Sequence, residues 1–277
     1  MPALNSIVFS PPWRGGGIKS LYVACEALGQ LGRSTIAPFG DEPRLADWFG
    51  HHCQLYDYTY RPDLVVYPEV YQPTIPHRRH ICFVLGKYGR VEPHADLAVC
   101  RSQALVDWVA EQDSQAPTAL LTPGIDRQLF EYDGREKRDV ICYMTRPHKH
   151  PETADLLRAR YGDKVVEIVE RHESEVAEIL KGSRVFVWRG TDKEGSPRPP
   201  KEALVAGCVV VGLAADLDAA HHTDFGLRCA TIDELIETAG RAVSLPIPTA
   251  AERAIIRDVK EEKADWVRIA TQLMDCG

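Results

Sequence analysis

Short apolar runs alternate along the chain with stretches in which apolar residues recur every three or four positions. Ser6–Phe9 reads SIVF, and a Pro/Gly-rich turn, PPWRGGG, separates it from Ile18–Leu31. In that second stretch Ile18, Leu21, Tyr22, Cys25, Leu28 and Leu31 share one helical face, so the pattern predicts strand, turn and helix. Further strands are expected at Thr35–Ala37, Leu64–Tyr67, Ile81–Leu85, Leu97–Cys100 and Ala119–Leu121. A helix capped by Ser102 is expected over Ser102–Gln112.

After TPGID (Thr122–Asp126) the chain turns polar from Arg127 to Asp139, the best candidate for a linker. The alternation then restarts. Strands are expected at Val140–Met144, Val165–Val169, Val185–Trp188, Val209–Val211 and near Leu227–Ala230. Helices are expected at Pro151–Tyr161, Glu173–Leu180, Pro200–Ala206 and Ile232–Ser244, and a helical segment from Ala250 to Met274. Strand–helix alternation run twice implies an α/β protein with two parallel sheets, each covered by helices. The expected domains are 1–125, 126–258 and a C-terminal helix, 259–277, packing back toward the N-terminal domain. In such domains ligands bind outside the carboxyl ends of the strands.

Composition narrows the classes. The chain is 44% hydrophobic and 26% charged, which supports real cores and excludes a disordered chain. No apolar run reaches the ~18–20 residues of a membrane-spanning helix, and Met1–Ser10 lacks the pattern of a signal peptide. A net charge of −7 argues against a protein that coats nucleic acid. The eight cysteines are scattered, without the close pairs that build zinc sites. Reduced, buried thiols and a cytoplasmic location are the corresponding expectations.

Two segments carry candidate chemistry. Gly15, Gly16 and Gly17 lie between the first strand and first helix, where a ligand can approach the backbone and helix N–H groups can meet an anion or a hydroxyl. The spacing matches neither a P-loop nor the GxGxxG dinucleotide fingerprint, whose third glycine would fall on Ser20. A tight turn without a ligand accounts for these glycines as well. The second segment is Glu194-Gly-Ser-Pro-Arg-Pro-Pro-Lys-Glu202, whose two glutamates are separated by seven residues. Pro199 and Pro200 suit a helix entry, which places Glu202 in a first turn and Glu194 on the preceding loop. Helix-dipole stabilisation alone would also favour an acidic residue at 202.

This segment, with ALVAGCVVVG after it, resembles the E-x7-E element of retaining GT-B glycosyltransferases, family 4 in particular. GGGIKSLYVACEALGQLG, VCRSQALVDWV, LLTPGIDRQLF and ICYMTRPHKHPETADLL resemble other elements of that family in the same order. The resemblance implies a GT-B fold, two Rossmann-like doubly wound domains facing a central cleft. It implies metal-independent sugar transfer, with retention, from a nucleotide-diphosphate sugar, a UDP-sugar favoured. By the same resemblance Glu202 would hold the ribose hydroxyls and Glu194 the donor sugar. Arg146 and Lys149 would neutralise the diphosphate leaving group. Gly195, Ser196 and Arg198 would complete the donor site, with Gly15, Gly16 and Gly17 facing it.

The chain departs from the family in having Pro197 at a usual glycine and no histidine in CFVLGKYGR. Ser196 or Arg198 would then supply the missing donor. The acceptor is left open among a glycan, a lipid carrier, a small natural product and a modified nucleic-acid base. A partner presenting it suits the short N-terminal half. A GT-B nucleotide-sugar epimerase and a non-catalytic GT-B-like binding or partner subunit are the alternatives. His77, His80 and His94 read as surface residues, HRRH at 77–80 as a solvated turn or, alternatively, an acceptor-phosphate contact, and Asp216-Leu-Asp218 as a loop rather than a metal site.

Overall fold

A computed structural model of the chain describes residues 3–12, 14–39, 44–112, 114–145, 150–191, 193–219 and 225–276. The chain divides into two compact units: Met1–Gly124 with Val259–Gly277, and Ile125–Asp258.

The first unit runs β1 (Leu4–Ser10), α1 (Gly16–Leu28), β2 (Gly32–Pro38), β3 (Gln54–Leu55), β4 (Leu64–Pro68), β5 (Arg79–Val84), β6 (Leu97–Cys100), α2 (Gln103–Ala110) and β7 (Thr118–Leu120). Its seven parallel strands lie in the order β3-β2-β1-β4-β5-β6-β7. The central strands β1, β4 and β5 are almost wholly buried and read as continuous apolar runs, as a sheet covered on both faces requires. Strand order reverses between β1 and β4, so loops leaving these two strands in opposite directions open a crevice at their carboxyl ends.

The second unit runs α3 (Arg127–Phe130), β8 (Arg138–Met144), α4 (Glu152–Tyr161), a 3-10 turn (Gly162–Lys164), β9 (Val165–Ile168), α5 (Glu173–Gly182), β10 (Ser183–Trp188), α6 (Pro199–Val205), β11 (Val209–Leu213), α7 (Ala214–Ala219), β12 (Leu227–Cys229), α8 (Ile232–Ala242) and α9 (Ala250–Ala254). Its parallel sheet has the order β12-β11-β10-β8-β9, with the reversal between β8 and β10. Lys137 enters this core as a helix cap. It is only 4% exposed, and its Nζ donates to the carbonyls of Leu180, Lys181 and Ser183 at 2.9, 3.1 and 2.8 Å. Those groups are the unsatisfied C-terminal end of α5, where a cation is favoured.

Helix α10 (Val259–Asp275) belongs to the first unit. Trp266 is fully buried, edge-on to Phe83 at 4.8 Å. Glu262 accepts the Gly124 N–H at 2.9 Å, and Lys263 pairs with Glu26 at 2.7 Å.

Several local expectations change. The polar stretch 127–139 is no bare linker: Asp126 caps α3 through the N–H groups of Gln128 and Leu129, and Phe130 is fully buried. The helical segment expected over 250–274 is two helices, interrupted at 255–258 where Ile125 bridges Asp258. Asp216-Leu-Asp218 lies in helix α7, not a loop. Ser102 precedes α2 without a side-chain capping bond. Nor is HRRH a solvated turn. The His80 side chain, 15% exposed, lies 3.2 Å from Asp96 and 3.6 Å from Glu92, and His77 Nε2 is 3.3 Å from its Nδ1.

Candidate functional site

The candidate site of the second unit builds up from the carboxyl ends of β8 and β10, the two strands on either side of the order reversal. Parallel strands deliver their following segments to one edge, so Thr145 after β8 and Arg189–Thr191 after β10 share it. Pro199 and Pro200 open α6 with fixed φ and no N–H to satisfy, which makes the turn from loop to helix sharp. Gly207 ends the helix with φ +79. Its N–H bonds the Leu204 carbonyl and the Cys208 N–H the Ala203 carbonyl, both at 2.9 Å. That pairing is a Schellman close, and it turns the chain straight into β11.

This short helix and its entry loop carry the sequence-predicted residues. Gly195, Ser196, Arg198 and Glu202 are all buried, Arg198 to 1% exposure and Glu202 to 7%. Lys201 donates from Nζ to the Ser196 hydroxyl at 2.7 Å, which fixes the loop residue to the helix. Glu202 sits in the first turn with its N–H on the Arg198 carbonyl at 2.9 Å. Among the described residues no side chain pairs with its carboxylate. Glu194 is half-buried on the loop, its N–H on the Thr191 carbonyl at 3.2 Å.

Two polar atoms at the ends of β8 and β10 are buried without a hydrogen-bond partner among the described residues, Thr145 Oγ1 and Trp188 Nε1. Buried polar groups in folded proteins are nearly always satisfied, so these two atoms are exceptions at the ends of neighbouring strands. Gly190 contributes by lacking a side chain. A Cβ there would stand 3.1 Å from Trp188 Nε1 and 3.3 Å from Glu194 Oε2. Neither Trp188 nor Gly190 was among the sequence-predicted site residues; the only signal was that they end a buried run, VFVWRG.

Arg189 was also missed. Its guanidinium is 2.7 Å from Asp216 and donates to Thr153 Oγ1 at 3.3 Å, tying the end of β10 to α7 and α4. The first aspartate of the DxD thus serves as a structural counter-ion, and Asp218 pairs with Arg228. Arg146 and Lys149, the expected diphosphate contacts, lie outside the described residues, as do His221 and His222. Among the described residues there is no cluster of His, Cys, Asp and Glu suited to a metal ion, and no helix is long and apolar enough to cross a membrane.

In the first unit the glycine turn follows β1. Gly15 stands before α1 with φ 175, an extended conformation open to any residue, and Gly16 and Gly17 form the first turn. A Cβ on Gly17 would meet Leu85 Cδ1 at 3.2 Å, so close packing, not backbone freedom, is what this glycine supplies. The three glycines therefore belong to a different unit from Glu194 and Glu202.

Two Rossmann-like parallel-sheet units, of seven and five strands, define the GT-B fold. Solved structures agree at the level of fold. AviGT4, a glycosyltransferase involved in avilamycin A biosynthesis, is 17% identical with a TM-score of 0.64, covering 99% of each chain. HepE (Alr3699) of Anabaena, in complex with UDP and glucose, is 12% identical with a TM-score of 0.69, covering 97% of this chain and 100% of that one. Sucrose-phosphate synthase from Thermosynechococcus elongatus is 14% identical with a TM-score of 0.65, covering 98% and 99%. No protein-family model matches the sequence, and no curated protein matches it.

Proposed function

We propose that the protein is a glycosyltransferase that takes a sugar from a UDP-sugar and passes it to an acceptor hydroxyl. The observation that carries this reading is Glu202: a carboxylate 7% exposed, in the first turn of α6, with no partner among the described residues. A carboxylate with no side-chain partner is open to a ligand, and a ribose offers two adjacent hydroxyl donors that would satisfy both of its oxygens. The solved complex of HepE with UDP and glucose supports a uridine nucleotide as the first ligand to try.

In this reading Glu194 meets the hydroxyls of the donor sugar, and the buried Arg198 and Lys201 bring positive charge to α6 and its entry loop. Arg146 and Lys149 neutralise the diphosphate, where negative charge develops as the anomeric carbon–oxygen bond breaks. The acceptor oxygen forms the new bond to that carbon, and its proton passes to the departing diphosphate oxygen. Attack from the same face gives retention. No metal ion is assigned a role in this scheme. The acceptor is a glycan, a lipid carrier, a small natural product or a modified nucleic-acid base.

Thermal melts with UDP, GDP, ADP and dTDP, followed by incubation with the matching sugar nucleotides, test the proposal. Stabilisation by UDP with slow release of sugar from a UDP-sugar supports it. Stabilisation by no nucleoside diphosphate refutes it, and binding with neither hydrolysis nor transfer to any acceptor favours a non-catalytic subunit.

A further inference from the structure

The first unit holds a buried carboxylate at its own order reversal, and the scheme above leaves it without a role. Glu69 follows β4 and is 5% exposed. Its Oε2 accepts the Leu85 N–H at 3.0 Å and its Oε1 the Gly86 N–H at 3.1 Å, at the carboxyl end of β5. Its main-chain carbonyl accepts the Arg90 N–H at 3.2 Å. A Cβ on Gly89 would stand 2.1 Å from the same carbonyl oxygen, so the far end of the 85–90 loop lies directly on Glu69. The near end reaches the other way, with Leu85 against Gly17 in the first turn of α1. One carboxylate therefore ties the loop after β5 to β4, and that loop abuts the glycine turn after β1.

We propose that Glu69 is a positioning residue for the reaction: it holds the Leu85–Arg90 loop against the glycine turn and so sets the shape of the first unit's ligand-binding edge. The proposal rests on the glycosyltransferase reading for the word reaction, and on geometry alone for the loop. An ionised carboxylate offers an acceptor to each of the two N–H groups, whereas a protonated one keeps a full acceptor on one oxygen only. The hold is therefore strongest when Glu69 is charged.

The surroundings place that change near neutrality. Burial raises the Glu69 pKa to about 7, against the opposing effects of the N–H groups of Leu85, Glu69 and Gly86 and of the Arg101 guanidinium after β6. The other titratable groups facing it are the thiols of Cys82 on β5 and Cys100 on β6. Burial and Glu69 itself push both upward, so they stay neutral across this range. Raising the pH through about 7 ionises Glu69 and tightens the loop; lowering it loosens the loop.

Amide hydrogen exchange on the full chain reads the loop, UDP calorimetry reads the second unit, and UDP-glucose hydrolysis from pH 5.5 to 8.5 reads the reaction. Glu69→Gln should speed exchange at Leu85 and Gly86 by about ten-fold at pH 8, the loss of one charge-assisted hydrogen bond, and leave UDP affinity within about two-fold. Wild-type protection, corrected for the intrinsic rate, and hydrolysis should both fall as the pH drops through about 7. In Glu69→Gln both should be flat, and Glu69→Asp should restore part of the pH dependence. Unchanged protection in Glu69→Gln, or a pH limb that survives in it, overturns the proposal. If Glu69→Gln fails to fold, the pH dependence of wild-type protection decides alone. If no nucleotide sugar is turned over, the glycosyltransferase reading fails while the exchange arm still decides the loop.

Discussion

Glu69 and Glu202 are both buried carboxylates at the carboxyl edge of a parallel sheet, each beside the point where strand order reverses. Their surroundings differ. Glu69 accepts two main-chain N–H groups and faces Arg101, so its hydrogen-bonding capacity is largely taken by its own fold. Glu202 has no partner among the described residues, although it is no more exposed than a core residue. Glu69 directly follows β4, whereas Glu202 lies in α6, beyond the loop that follows β10. One carboxylate is held by main-chain donors of its own unit, and the other has no side-chain partner among the described residues.

That contrast breaks if polar groups around Glu202 turn out to be interchangeable with it. The largest stability loss is expected from Asp216→Ala, which strands the nearly buried Arg189 guanidinium without its counter-ion. About 3 kcal/mol is the expected cost in chemical denaturation of the chain. Lys137→Met should follow at about 2 kcal/mol, since three carbonyls at the end of α5 lose their donor. Gly207→Ala should cost about 1 kcal/mol, from the +79 φ and a Cβ 3.0 Å from Tyr132. Glu202→Ala, by contrast, should leave the melting temperature unchanged or raise it, because no side chain among the described residues pairs with its carboxylate. A loss there comparable to Asp216→Ala would mean that Glu202 is structural after all.

The pH dependence of stability sharpens the same comparison. The Glu69 pKa is raised on folding, so its contribution is fully present below the unfolded value near 4.5 and lost as pH rises through about 7. A stability difference between wild type and Glu69→Gln that does not change across that window would contradict the burial argument. Stability and loop order therefore move in opposite directions with pH, which separates a fold effect from a positioning effect.

Much of the fold was legible because parallel strands buried on both faces write themselves as unbroken apolar runs. SIVF, LVVY and VFVW stand out for that reason. Strand Gln54–Leu55 did not, because two exposed residues at a sheet edge carry no such signal. Helix α3 was hidden by its polar surroundings, with only Phe130 fully buried. The EGSPRPPKE segment was readable because prolines and spaced glutamates have local meaning. Trp188, Arg189, Gly190 and Glu69 were not, since their parts depend on what the topology brings beside them. Glu69 in particular is one acidic residue in PEVYQP until β5 delivers two N–H groups to it.

The central claim is that Glu202 is kept for a nucleotide sugar, and titration calorimetry of UDP into wild type and Glu202→Ala tests it most directly. Losing charge-assisted hydrogen bonds to the ribose should weaken UDP binding by roughly 10- to 100-fold, with the melting temperature held or raised. UDP binding of equal strength in both proteins would contradict the account.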